Sequence, residues 1–192
     1  MEYTVSILYG STREDRKGIR AARYLEKKMR DMGNTIHFID PVEIPLPLLN
    51  KMYKEYPEGN APDNMEKIAT RLKESDGFLV VTGEYNHGVP PALKNLLDHF
   101  QKEYFFKPSA IACYSAGSYG GVRAAIQLRI ILAELGMSAI PTIQAYPKVQ
   151  DAFSPDGKPL QNYIDKSTKR FLDEFDWYLS ALKKERENGT PY

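Results

Sequence analysis

Cysteine is the scarcest reactive residue in this chain, with Cys113 alone among 192 residues. One thiol closes no intrachain disulfide and builds no thiolate zinc site, so a disulfide scaffold and a zinc module are both excluded. Cys113 sits in an apolar run, Ala110 to Tyr114, where a thiol serves as a small packing group. An excess of charge of either sign is also missing. Lysine and arginine number 26 against 25 aspartates and glutamates, a formal net charge of +1, which offers no bulk attraction to nucleic acid or an anionic membrane. No apolar run approaches the ~20 residues that span a bilayer. The N-terminus lacks a basic segment leading into an apolar signal core, and the simplest address is the cytosol. The only histidines, His37, His87 and His99, share no ligand spacing with carboxylates, so no metal is expected.

What remains is an ordinary globular composition, 42% hydrophobic and 11% aromatic, enough for one buried core spanning residues 1–192. Strand and helix patterns alternate along it. Tyr3 to Tyr9 is rich in β-branched and aromatic residues and closes at Gly10. Ile19, Ala22, Leu25, Met29 and Met32 then recur at helical spacing, with a stop at Gly33-Asn34. Thr35 to Ile39 is a second strand. Pro41 to Pro62 holds five prolines and reads as a long irregular excursion, at an interface or as a rim over a site. Asp63 is placed to cap a helix carrying Met65, Ile68, Ala69 and Leu72. Strands follow at Gly77 to Thr82 and Ser109 to Ser115, with helices at Ala92 to Phe100 and Val122 to Leu135. A short fifth strand, Met137 to Ile140, is expected to stop at Pro141, and a last helix to run from about Gln161 to Glu187. Five alternations without a linker between separate cores give an α/β domain, a parallel sheet of order 2-1-3-4-5 with helices on both faces.

In such a sheet ligands lie beyond the carboxyl ends of the strands, and three glycine-bearing loops leave strands at that end. The first, Gly10 to Gly18, joins a strand to a helix N-terminus and offers unpaired N–H groups, the hydroxyls of Ser11 and Thr12, and the fork of Arg13. It lacks the Lys-Ser/Thr ending of a Walker A loop and the Gly-x-Gly-x-x-Gly of a dinucleotide fold, which favours a monophosphate. Taken alone, it reads equally well as a turn closed by Ser11 or Thr12 with Arg13, Arg16 and Lys17 on a solvated face. The second loop, Gly83-Glu84-Tyr85-Asn86-His87-Gly88-Val89-Pro90-Pro91, leads into Ala92-Leu93-Lys94-Asn95-Leu96-Leu97-Asp98.

These paired motifs resemble the NADPH-dependent FMN reductase family, the small flavodoxin-like quinone, azo-dye and chromate reductases. Family first loops read Gly-Ser-x-Arg, and second loops read Pro-Glu-Tyr-Asn followed by Pro and Leu-Lys-Asn-x-x-Asp. This chain departs only at Gly83, where the family usually has proline, and the resemblance runs to about Ile140. It implies a flavodoxin-like fold and bound FMN, with first-loop contacts from Ser11, Arg13, Lys17, Gly18 and Ile19. Successive peptide groups of Glu84, Tyr85, Asn86, His87 and Gly88 suit the donors and acceptors along the pyrimidine edge of a flavin. Tyr85 could wall the ring or pack against a neighbour, and His87 could donate near it or simply be solvated. The third loop, Ser115 to Gly121, matches a Ser-x-Gly-Gly-like family loop near the isoalloxazine through Ser115, Gly117, Ser118, Gly120 and Gly121. Asn95 and Asp98 are expected to hold the second loop, and Gly121→Val to block the ring while sparing the fold.

The implied reaction takes hydride from NADPH or NADH through FMN to a quinone-like or other small acceptor. No side-chain nucleophile is needed, in keeping with the absence of a Ser-His-Asp or reactive-cysteine set. The resemblance also implies a homodimer or homotetramer. Two other readings stay open: a flavodoxin-like electron carrier with no NAD(P)H-dependent activity of its own, and a domain that has lost its flavin.

Overall fold

A computed structural model describes residues 2–192. Five strands, β1 (Thr4–Tyr9), β2 (Thr35–Ile39), β3 (Gly77–Gly83), β4 (Pro108–Tyr114) and β5 (Ser138–Tyr146), form one all-parallel sheet of order β2-β1-β3-β4-β5. The central strands are buried on both faces, which is why they read as continuous apolar runs and not as alternating ones. Alternation decides which layer each residue joins. Val5, Ile7 and Tyr9 face α1 (Ile19–Asp31) and a long C-terminal helix, while Leu8 faces α2 (Asp63–Glu74), α3 (Pro91–Asp98) and α4 (Val122–Glu134). Along β3, Leu79 and Val81 join the first layer and Phe78 and Val80 the second. Each such fully buried side chain contributes about 1.5–3 kcal/mol relative to exposure.

Helix α1 buries Ala21, Ala22, Leu25 and Met29 and ends before Met32, which lies past the last turn and is partly exposed. In α2 the expected cap is displaced: Asp63 is the first helical residue, and Pro62 occupies the cap position. An acidic group there still suits the positive end of the helix. Phe100 follows α3 as a buried residue outside the helix. The excursion from 41 to 62 is irregular apart from one 3-10 turn, Tyr53–Glu55.

The fifth strand departs most from expectation. It runs nine residues, straight through Pro141. β5 is an edge strand, so a residue without an N–H can sit where no partner waits, and the register slips between Ser109 and Ile111 of β4 to accommodate it. A short helix, α5 (Val149–Ala152), and the long α6 (Asn162–Arg186) complete the chain; α6 buries Ile164, Thr168, Phe171, Leu172, Phe175 and Leu179. Among the described residues, no helix is long and apolar enough to cross a membrane.

Candidate functional site

The carboxyl ends of β1, β3 and β4 bring the three loops into contact. A cavity of about 170 Å³ opens between them. Ser11, Arg13, Lys17 and Gly18 of the first loop, Glu84 and Tyr85 of the second and Ser115 of the third line it. Asn86, His87, Gly88, Gly117, Ser118, Gly120 and Gly121 lie outside that lining, as does Ile19, which opens α1 and packs against the core. Arg16, which the sequence also allows on a solvated face, lines it too, with Gly83; Asp15, Tyr114, Ala116, and Val149 and Gln150 of α5, none of them singled out in the sequence, complete the wall.

The first loop is rich in free donors. Among the described residues, the backbone N–H groups of Ser11, Thr12, Glu14, Asp15, Arg16 and Gly18 have no acceptor within the protein. The side chain of Ser11 is buried and shares a 2.8 Å hydrogen bond with the Tyr85 hydroxyl, tying the first two loops together. Arg13 is exposed. Lys17 pairs with Asp15 at 2.9 Å. Gly18 is fixed by a close approach, because a Cβ there would fall 2.0 Å from the ring of Tyr114. That ring also lies against Gly83, where an added Cβ would sit 3.2 Å away. Tyr114 stacks on Tyr9 and donates to its hydroxyl at 3.1 Å. Burial pushes the Tyr114 phenol up to about 12 and the Cys113 thiol up to about 12, so neither ionises near neutrality.

The second loop is a two-residue hairpin turn. Tyr85 and Gly88 exchange backbone hydrogen bonds of 3.0 and 2.9 Å, and Asn86 and His87 between them have φ of 49° and 67°. Successive positive φ values define a type I′ turn, a conformation that strains non-glycine residues. The carbonyl of His87 accepts from Gln127 at 3.0 Å, which anchors the turn to α4. Glu84 has a separate task. Its carboxylate accepts from the N–H groups of Arg123 and Ala124 at 3.0 and 3.4 Å and from the Arg123 guanidinium at 3.3 Å. It thereby caps α4, whose own cap residue, Gly121, has no side chain to do so.

The third loop rests on the segment after β5. The N–H of Val149 donates to the Ser115 carbonyl at 3.1 Å and that of Lys148 to the Gly117 carbonyl at 3.0 Å. Among the described residues, the N–H groups from Ala116 to Gly121 have no acceptor within the protein. Gly121 has φ of 84°, and a Cβ on it would lie 2.6 Å from the Tyr114 carbonyl oxygen. The expectation that valine at 121 would spare the fold is therefore wrong: the side chain would collide with the backbone of β4. A Cβ added to Gly117 would meet nothing within 4 Å. Asn95 also differs from expectation. Its side chain accepts from the Leu49 N–H at 2.9 Å and donates to the Pro47 carbonyl at 2.8 Å, so it pins the proline-rich excursion and not the second loop, and Asp98 pairs with Lys94.

A larger groove, about 630 Å³, lies between α1 and α6. Two ion pairs line it, Lys28 with Asp165 at 2.7 Å and Lys169 with Asp173 at 2.6 Å, and it lies away from the strand ends that carry the loops.

Residues 3–150 match the model of the NADPH-dependent FMN reductase family, a span that includes all three loops. The chain belongs to this family. It is an FMN-dependent NAD(P)H oxidoreductase. Among its relatives is a quinone reductase of Pseudomonas putida, 29% identical over 192 residues and covering 96% of this chain and 97% of its own. Of solved structures, a flavoenzyme NAD(P)H:(acceptor) oxidoreductase from Paracoccus denitrificans superposes with a TM-score of 0.78 at 24% identity, over 93% of this chain and 98% of that one. A variant flavodoxin from Pseudomonas aeruginosa does so at 0.55 and 17%, over 92% and 99%. The reductase thus has a flavodoxin-like fold, and the span matched to its family includes all three loops.

Proposed function

We propose that this reductase passes reducing equivalents from NADPH or NADH to a quinone-type small acceptor, with FMN held by the three loops described above. The observation that carries this reading is the convergence of unpaired backbone donors, six from the first loop and a run from the third, at the carboxyl edge of one sheet. Phosphate is well served by such a cradle with Arg13 and Lys17 beside it. A 170 Å³ cavity is smaller than the ~300 Å³ or more usual for a whole small-molecule ligand. It suits the phosphate end, leaving the turn Tyr85 to Gly88 and the open face at Gly117 for the ring.

Bound FMN supplies the hydride chemistry. The protein's part is to bind, orient and polarise. The N–H groups of Asn86 and His87, which have no acceptor among the described residues, and those of the third loop are suited to stabilise negative charge developing on a ligand's polar edge, an effect of the oxyanion-hole kind. The cavity wall offers little for side-chain acid-base chemistry: Tyr114 is held protonated by burial, and the Glu84 carboxylate is engaged with α4. The quinone reductase among the relatives supports flat, quinone-type acceptors.

We further propose a cytosolic homodimer. The buried thiol suits a reducing compartment. Val122, Ile126 and Ile130 repeat every four residues along α4 and are exposed, with Tyr119 beside them, a stripe that a second copy would cover. The decisive experiment is the visible spectrum of the purified protein followed by anaerobic titration with NADPH and NADH. Flavin bands bleached by either nucleotide and restored by benzoquinone are the expected result; a colourless protein that takes up no added FMN overturns the reading.

A further inference from the structure

Asp40 follows β2 and is completely buried, at 0% exposure. One carboxylate oxygen, Oδ1, accepts from the Arg16 guanidinium nitrogen Nη1 at 2.5 Å and from the Val42 N–H at 3.0 Å. Its other oxygen, Oδ2, is buried with no partner among the described residues. A buried carboxylate left half satisfied is costly, and retaining one calls for an explanation beyond packing.

Arg16 supplies it. The same Nη1 also donates to the Ser11 carbonyl at 3.2 Å, and the guanidinium lies 5.5 Å from the centre of the Tyr9 ring. Arg16 is therefore held through Nη1 by the β2 end and the first loop, with the Tyr9 ring beside its guanidinium carbon. Its Nη2 and Nε donors have no partner among the described residues, and the side chain lines the cavity beside Ser11, Arg13 and Lys17. Arg13, by contrast, is exposed and its guanidinium is untethered. A guanidinium fixed at one corner with two donors spare is preorganised for a tetrahedral oxyanion, whereas a free arginine must be ordered on binding.

We propose that Asp40 is a positioning residue for phosphate recognition: it locks Arg16 so that the remaining fork faces the phosphate of the nucleotide, and so sets the preference for FMN over riboflavin. This rests on the reading that the first loop holds the phosphate. The opposite outcome has its own physical logic. Asp40 is an anion close to that site, and charge alone would make Asp40→Asn bind FMN more tightly. Orientation predicts the reverse, so the sign of the change separates the two.

The test is titration of deflavinated protein with FMN and with riboflavin, followed by flavin fluorescence, for the parent, Asp40→Asn, Asp40→Glu, Arg16→Met, Arg13→Ala and the double variant Asp40→Asn/Arg16→Met. In Asp40→Asn the FMN affinity is expected to fall about tenfold, with riboflavin affinity unchanged. Arg16→Met should lose a similar factor, the double variant should be no worse than Arg16→Met, and Asp40→Glu should recover part of the loss. Equal losses for FMN and riboflavin in Asp40→Asn would mean that Asp40 only holds the turn at Val42, and would overturn the proposal. So would tighter FMN binding, or an unchanged FMN-to-riboflavin ratio while Arg13→Ala collapses it; in both cases the first loop keeps its assignment. A parent that binds FMN no better than riboflavin removes the phosphate assignment itself.

Discussion

Gly117 and Gly121 stand four residues apart in one loop and answer to different constraints. Gly121 is forced by the backbone of β4, Gly117 by nothing within the protein. Alanine at 121 should cost about 1–3 kcal/mol of stability through strain at positive φ and collision with Tyr114, visible as a lower urea midpoint. Alanine or valine at 117 should leave that midpoint unchanged and weaken flavin retention on dialysis; full retention in Gly117→Val would remove the third loop from the flavin site. Tyr104 offers a simpler test of residue energetics. It is completely buried, and its hydroxyl has no partner among the described residues, so Tyr104→Phe should stabilise the protein by about 1 kcal/mol, read as a higher urea midpoint. The glycines of the third loop stand out in the sequence, but what constrains each one does not: the limit on Gly121 comes from Tyr114, which only the folded sheet brings near. Arg16 reads as a solvated cation for the same reason, since Asp40 is its partner only once β1 and β2 lie side by side.

Among the elements, α4 joins the site to the outer surface. It begins under the cap of Glu84 and carries one exposed apolar face, Val122, Ile126 and Ile130. Glu84→Ala should destabilise by about 1–2 kcal/mol, as loss of a helix cap does, and loosen the second loop with it. Ile126→Asp with Ile130→Asp should convert a dimer at micromolar concentration into a monomer, measured by analytical ultracentrifugation; a parent already monomeric would count against the dimer. Most elements are legible in the sequence because their apolar periods are unambiguous: β2 spans the expected residues, and α4 differs by one. β5 reads as half its length because proline usually ends a strand, and nothing in the local pattern reveals that a strand lies at an edge. The cap on α4 is hidden by the 39 residues that separate Glu84 from Arg123.

For the molecule as a whole, buried phenols govern its behaviour in alkali. Tyr9, Tyr104, Tyr114 and Tyr146 are all raised above the ordinary tyrosine value, chiefly by burial. In the unfolded chain they ionise near pH 10, while in the folded one they stay protonated, so above about pH 10 the unfolded state binds fewer protons and stability falls. Each contributes up to about 1.4 kcal/mol per pH unit until its folded value is passed. Lys107 acts in the opposite direction. Burial lowers it to about 8, so between about pH 8 and its free value the unfolded chain holds the extra proton and stability rises. The urea midpoint should therefore peak between about pH 9 and 10 and drop steeply beyond; an unchanged midpoint at about pH 11 would contradict the burial of these phenols.

Pro141 bears on how copies of this protein coexist at high concentration. An outermost strand with every amide free is a template for zippering one sheet onto another, and fibrils grow that way. The proline and the register slip beside it interrupt the row of donors midway along β5, so copies can meet through helices without fusing their sheets. Restoring an amide there, as in Pro141→Val, would be expected to lengthen the sticky edge and turn the enzyme toward aggregation on mild heating.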